Sequence, residues 1–331
     1  MKIISAQEVD SLLDFPALIA ALRDAFTGGV QAPARHHHTI ERKEGSDSTM
    51  LLMPAWSDFS SGRIEGSGFT GVKIVSVSPD NNAVGLPAVM GVYLLSDGTT
   101  CAPLALIDGQ KLTLWRTAAA SALAAGFLAP ENAERLVMIG AGKLAPYLIR
   151  AHASVRPIKA VTLWNRNRDN AERLADEMSD EDFDVAVTDD RAAAISEADI
   201  VSAATITAVP LIEGAWLSPG THLDLVGAFT PALRESDDEA VRRASLFVDT
   251  FDGALKEGGD LVQPLESGLI HRSDVVADLA MLCRGEHTGR IGPDEITLFK
   301  STGASLEDFA AGCLVWERCR QGAGQHDRTG N

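Results

Sequence analysis

Basic charge is scarce in this sequence: 29 Lys and Arg stand against 46 Asp and Glu, a formal net charge of −17. Nucleic acids and anionic membranes both demand a basic footprint, so the balance argues against either as a partner. Cysteine is scarce too. Cys101, Cys283, Cys313 and Cys319 form no C-x-x-C pair and no zinc spacing, and read as buried thiols of a reducing compartment. No run approaches the ~20 apolar residues that span a bilayer. The opening MKIISAQEVDSLLDF lacks the apolar stretch and cleavage site of a secretory signal, so the cytoplasm is the expected compartment. No G-x-S-x-G elbow supports a Ser–His–Asp hydrolase. His36-His37-His38 reads as a solvated loop, since adjacent residues in extended chain point to alternate sides; no metal is expected.

What is present is a 45% hydrophobic chain of 331 residues, long enough for two domains. Residues 3–27 read as a short strand and one helix. Ser5 and Glu8 have capping-box spacing, and Leu12, Leu13, Leu18, Ile19 and Leu22 form the apolar stripe. Extended segments follow at Thr49–Met53, Phe69–Val77, Ala88–Leu95 and Ala102–Ile107, the last after an Asp97-Gly98 turn. They predict a mostly antiparallel α+β section. Leu112–Ala129 is Ala-rich and helical, closed by Pro130. From Leu136 to Asp249 strands alternate with helices, which predicts a parallel sheet. A strand at Ile296–Phe299 and a helix at Ser305–Arg320 end the pattern, and the Gly-rich tail from Gln321 is expected to be disordered.

Leu136–Ile139 runs into Gly140-Ala141-Gly142-Lys143-Leu144-Ala145, a G-x-G-x-x-A between a strand and a helix. Gly140 allows the tight turn, Gly142 lets backbone amides approach a pyrophosphate, and Ala145 permits close helix packing. The helix N-terminus adds unpaired N–H groups, with Pro146 tolerated in its first turn. This context marks a dinucleotide site. The next strand ends in Asn165-Arg166-Asn167-Arg168, without the acid that binds a ribose 2′-hydroxyl. Guanidinium groups at Arg166 and Arg168 suit a 2′-phosphate, so NADPH is the expected coenzyme, with NADH possible.

Three cations outside this segment stand out: Arg35, Lys73 within an apolar strand, and Arg116 at the start of an apolar helix. A cation buried among apolar groups needs an anion beside it. A substrate carboxylate and an internal Asp or Glu both remain open. Glu235–Glu239 reads as a solvated helix start, and Trp164 and Trp216 as packing residues.

Stretches such as Gly71-Val72-Lys73, Gly85-Leu86-Pro87, Leu112–Ala120 with its Arg116-Thr117, Ile139–Gly142 and Val226-Gly227-Ala228 resemble the ornithine cyclodeaminase/mu-crystallin family across nearly the whole chain. The resemblance implies an α/β protein with a Rossmann-type domain (129–300) inserted in an α+β substrate and dimerisation domain (1–128 plus 301–331). It implies a homodimer formed through the α+β sheet. Arg35, Lys73 and Arg116 would grip the carboxylate of an amino, imino or keto acid above the nicotinamide. Arg116, Thr117, Lys143, Leu144, Thr205, Val226, Gly227 and Ser301, with Thr302 close by, would lie along the coenzyme.

One departure matters. Where the cyclodeaminase and alanine dehydrogenase branches resemble each other in carrying an Asp, this chain has Phe229. Phenylalanine does no proton chemistry, which demotes ornithine cyclisation and oxidative deamination; Asp80 or Asp108 would have to supply the acid. The expected reaction is NADPH-dependent reduction of a cyclic ketimine, Δ1-pyrroline-2-carboxylate or its six-membered homologue, with Lys73 able to return a proton and Phe229 walling the ring. The alternatives are an ornithine cyclodeaminase or alanine-dehydrogenase-like enzyme, and a crystallin-like NADPH-dependent binding protein.

Overall fold

The computed structural model describes residues 1–61 and 66–326. Its chain order is β1 (Lys2–Ile4), α1 (Ala6–Leu12), α2 (Phe15–Thr27), β2 (Val30–Gln31), β3 (His36–Ile40), β4 (Ser48–Ser57), β5 (Phe69–Val77), β6 (Val89–Asp97), β7 (Pro103–Asp108) and α3 (Gly109–Leu128). Then come β8 (Arg135–Ile139), α4 (Ala145–Ala153), β9 (Ala160–Trp164), α5 (Arg168–Glu177), β10 (Asp184–Val187), α6 (Arg191–Ser196), β11 (Ile200–Ala203) and β12 (His222–Leu225). The remainder is α7 (Asp238–Arg243), β13 (Ser245–Val248), α8 (Phe251–Glu257), α9 (Gly259–Glu266), β14 (Val275–Asp278), α10 (Leu279–Cys283), β15 (Thr297–Lys300) and α11 (Ser305–His326). The chain divides into two units, Met1–Arg116 with Ala304–Asn331, and Thr117–Gly303. The division falls inside α3, ahead of the Leu128 boundary expected from the sequence. Among the described residues no helix is long and apolar enough to cross a membrane.

The first unit is built on a sheet of order β1-β7-β6-β5-β4-β2, with β3 also paired to β4. Every pairing is antiparallel except β1 with β7. Strand alternation sends Met53, Ala55, Val75, Tyr93, Leu95, Ala105 and Ile107 to one buried face. Against that face lies α11, which also packs on α2. On the opposite face the register aligns Leu52, Ile74 and Val92 in one row and Pro54, Val72 and Leu94 in another. These are apolar yet half-buried or exposed, Ile74 at 37%.

Four expectations for this unit are corrected. The N-terminal helix is two helices, because Leu13 is extended and Asp14 caps a new start by accepting from Ala17 N–H, with Pro16 in the first turn. The three histidines form strand β3, not a loop, and bond to the edge of β4. Cys101 is an exposed turn residue with a φ of 58°, not a buried thiol. The tail from Gln321 continues α11 to His326, and residues 327–331 lie outside the described residues.

The second unit is an all-parallel sheet of order β10-β9-β8-β11-β12-β15-β13-β14. The chain runs outward from β8 to β10 and then returns to place β11 beside β8. Ligands of such sheets bind where the strand order reverses, outside the carboxyl ends of the strands. Its strands bury Val137, Ile139, Val201, Ala203, Leu223, Leu225, Leu246, Val248 and Leu298 in one cluster, each aliphatic side chain of Val or Leu size contributing about 1.5–3 kcal/mol. The sequence pattern misses β14, α8, α9 and α10, and does not foresee β15 inserting between β12 and β13.

Candidate coenzyme and anion sites

The turn from β8 to α4 separates two uses of glycine. Gly140 has a φ of 107°, and a Cβ there would lie 2.9 Å from the Ala204 carbonyl oxygen, so the fold itself requires glycine. Gly142 has no such φ, and a Cβ there would meet nothing within 4 Å. What its missing side chain leaves is room for a ligand to approach the backbone. No side-chain cap closes α4, since Leu144 stands at its N-cap, and Pro146 sits in the first turn. Gly142 and Lys143 are exposed, and Ala141 and Leu144 half-buried, at this uncapped end. The donors and the space fit a dinucleotide pyrophosphate.

At the end of β9, the Asn165 side-chain oxygen Oδ1 accepts from Ala141 N–H at 3.2 Å, tying the glycine turn to its neighbouring strand. Arg166 is exposed and makes no ion pair among the described residues. Arg168, by contrast, bonds Glu172 at 2.7 Å and Asp189 at 2.5 Å. The two arginines therefore stand in different surroundings, Arg168 paired with two carboxylates and Arg166 exposed. Trp164 and Trp216 pack as expected and share a cation: the Arg191 guanidinium lies 4.6 Å and 5.3 Å from their ring centroids.

Further along the carboxyl edge of the same sheet, two buried carboxylates hold the loops. Asp249 accepts from Thr302 N–H and Gly303 N–H, both at 2.6 Å, and from Ser301 Oγ at 3.3 Å. Ser301 is thereby fixed and almost fully buried. Glu235 accepts from the backbone and hydroxyl of Thr205 and from Gly227 N–H. This corrects the sequence reading of Glu235 as solvated: it is fully buried, and α7 begins later, capped by Asp237. Burial pushes the Glu235 carboxyl up, against the pull of Lys300. Thr117 and Val226 are buried, while Gly227 and Phe229 are half-buried.

A third buried acid, Asp224, gathers Ser121, Ser202 and His152 at 2.9, 2.7 and 3.1 Å. Both serines donate to the carboxylate and all four groups are buried, so no activated nucleophile is presented. Sequence reasoning passed over Asp224 and Asp249 and took Glu235 as solvated, because nothing local distinguishes a buried Asp or Glu from a solvated one.

In the first unit, Lys73 and Arg116 meet at the start of α11. Lys73 Nζ lies 2.8 Å from Asp308 Oδ1 and 2.7 Å from Oδ2. Arg116 Nε bonds Asp308 Oδ1 at 3.1 Å and its Nη1 bonds Glu307 at 2.7 Å. All four side chains are buried. Of the two partners the sequence left open, the internal one is therefore present for both cations. Burial, then the neighbouring Arg116 charge, depress the Lys73 ammonium to about 8, against the attraction of Asp308. Arg35 is half-buried just ahead of β3, where its charge adds to burial in lowering the His37 imidazole. The two alternative acids are engaged locally: Asp80 accepts from Ser46 N–H and Oγ, and Asp108 from Lys111 N–H at the start of α3.

Comparison with known proteins places this geometry in context. The chain is 43% identical over 96% of its length, and 97% of the relative's, to an uncharacterized protein of Schizosaccharomyces pombe. It is 36% identical to the Δ1-pyrroline-2-carboxylate reductase of Colwellia psychrerythraea, covering 96% of this chain and 99% of that one. The structure of Thermococcus litoralis Δ1-pyrroline-2-carboxylate reductase in complex with NADH and L-proline superposes with a TM-score of 0.90, at 33% identity and 98% coverage of both chains. Residues 2–323 match the sequence profile of one family. The chain belongs to the ornithine cyclodeaminase/mu-crystallin family.

Proposed function

We propose that this protein is an NAD(P)H-dependent oxidoreductase that reduces the C=N bond of a small cyclic imino acid. The substrate is Δ1-pyrroline-2-carboxylate or its six-membered homologue, and the product L-proline or L-pipecolate. Phe229 carries this reading: an apolar ring follows β12 where an acid would be needed to manage an amine. A preformed C=N bond requires only hydride and one proton. The several reductases among the relatives support the same reaction class.

When bound, the coenzyme supplies the hydride. Gly142 and the uncapped α4 would hold its pyrophosphate, and Asn165 with Arg166 its ribose end, favouring NADPH while admitting NADH. Lys73 and Arg116 would orient the substrate carboxylate. Lysine has three N–H donors and arginine five, so a further anion can share them with Asp308 and Glu307. The existing set is two cations against two carboxylates. Arg35 is proposed to join Lys73 and Arg116 in holding the substrate carboxylate. Lys73, its ammonium brought near the operating pH by burial, would give the proton to the ring nitrogen and regain it from solvent. The apolar rows on the open face of the first unit's sheet support a homodimer formed through that face.

Consumption of NADPH with freshly prepared Δ1-pyrroline-2-carboxylate tests the reading. No consumption, together with ammonia release from ornithine, would overturn it in favour of cyclodeaminase chemistry. The complete internal pairing of Lys73 and Arg116 favours one second reading, a crystallin-like NADPH-dependent binding protein. Tight NADPH binding without turnover of any imine or keto acid would establish that one instead.

A further inference from the structure

Glu235 connects the loops after β11 and β12. Its Oε1 accepts from Thr205 N–H at 2.7 Å and Thr205 Oγ at 2.8 Å, and its Oε2 from Gly227 N–H at 2.6 Å and Ala228 N–H at 3.3 Å. The two loops approach so closely that a Cβ on Gly227 would lie 2.1 Å from the Thr205 carbonyl oxygen and 2.6 Å from Glu235 itself. The carboxylate is also fixed from behind. Glu235 N–H and Ser236 N–H donate to Asp260 Oδ1 at 2.8 and 3.0 Å. Asp260 pairs with Lys300 at 3.0 Å, and Lys300 stands 4.0 Å from Glu235.

Stability alone is a poor reason for this arrangement. Burying two acids and a lysine costs desolvation that apolar residues of similar volume would avoid. What a carboxylate with four donors supplies is fixed geometry, because charge-assisted bonds to backbone N–H groups hold both loops to one point. A dinucleotide lies across the carboxyl ends of the strands where β8 and β11 part. Its adenosine half would fall on the side of Gly140 and Asn165, and its nicotinamide half would extend toward β11 and β12. We propose that Glu235 is a positioning residue that shapes the bed of the nicotinamide half by locking Thr205 to Gly227. The proposal rests on coenzyme binding by this unit and not on the identity of the imine.

The experiment compares binding of NADPH and of 2′,5′-ADP, which carries only the adenosine half, to the wild-type protein and Glu235→Gln. The amide keeps the shape but turns a donor toward N–H groups. The Kd for NADPH is expected to rise by about tenfold or more, as for loss of charge-assisted bonds, while that for 2′,5′-ADP stays within about twofold. Equal weakening of both ligands marks a merely structural role and overturns the proposal, as does unchanged NADPH binding. Should Glu235→Gln not fold, Glu235→Asp keeps the charge but draws the oxygens back, and the same split decides. Wild-type protein that binds 2′,5′-ADP but not NADPH would also sink it, whatever imine the enzyme takes.

Discussion

Lys73 and Asp308 stand 235 positions apart in sequence, yet Nζ and Oδ2 are 2.7 Å apart in the core of one unit. Asp308→Asn leaves a buried ammonium without its nearest counter-charge and is expected to cost about 3–5 kcal/mol, read by denaturant unfolding. Asp308 raises the Lys73 pKa, so its removal moves that pKa below about 8. The alkaline limb of kcat/KM should shift to lower pH. An unmoved limb in folded variant protein means that Lys73 is not the acid.

The two glycines of the coenzyme turn should respond oppositely. Gly140→Ala forces a Cβ into a φ of 107° and against Ala204, so its main effect is lower Tm. Gly142→Val meets no protein atom in its Cβ position and should leave Tm nearly unchanged. Coenzyme titration should nevertheless show weaker binding of both NADH and NADPH. A Gly142 variant with wild-type affinity would remove the pyrophosphate from this turn.

Arg166 and Arg168 are not equivalent despite their spacing. Arg166→Ala should reduce the NADPH-to-NADH ratio of kcat/KM by about 10- to 100-fold, the range expected for lost hydrogen bonds to a charged group. Arg168→Ala should change it little, since Glu172 and Asp189 already engage that side chain. An equal loss in both variants would show that Arg168 exchanges its partners for the coenzyme.

His222 gives the second unit an acid sensitivity. Burial lowers its imidazole to about 3, from an ordinary 6.5. The native state therefore binds fewer protons than the unfolded chain between those values, and unfolding free energy rises with pH across that window. Equivalently, stability is lost as pH falls from 6.5 toward 3. His222→Gln, retaining a partner for Thr297 Oγ1, should flatten this slope in urea titrations. A slope unchanged by the substitution assigns the sensitivity elsewhere.

The open sheet face offers a simple assembly test. Ile74→Asp places a charge among the apolar rows of β4, β5 and β6 without disturbing the buried face. Light scattering should report monomers for the variant and dimers for the wild type. Dimeric Ile74→Asp protein would put the interface on another surface.

Local signals made part of this molecule legible. The strand–helix alternation from β8 to β12 and the glycine turn follow from neighbouring residues, so both emerged from the sequence. Asp14 and Pro16 were equally local, but the leucine spacing runs through them and hid the break between α1 and α2. Glu235 was misread because its burial depends on Thr205, 30 positions earlier, and on a glycine loop eight positions before it. The pairing of Lys73 was undecidable for the same reason. Periodicity reports which face a side chain takes, and the partner waiting on that face comes from elsewhere in the chain.

Synthesis from the N-terminus gives that separation a temporal meaning. Lys73 and Arg116 leave the ribosome long before Glu307 and Asp308 exist, and the whole Thr117–Gly303 unit emerges in between. Until α11 arrives, the first unit lacks the Glu307 and Asp308 carboxylates that pair with these two cations in the folded protein. Translation that stops short of the last helix would leave open the apolar sheet face that α11 covers, the kind of exposed surface on which chaperones and proteases act.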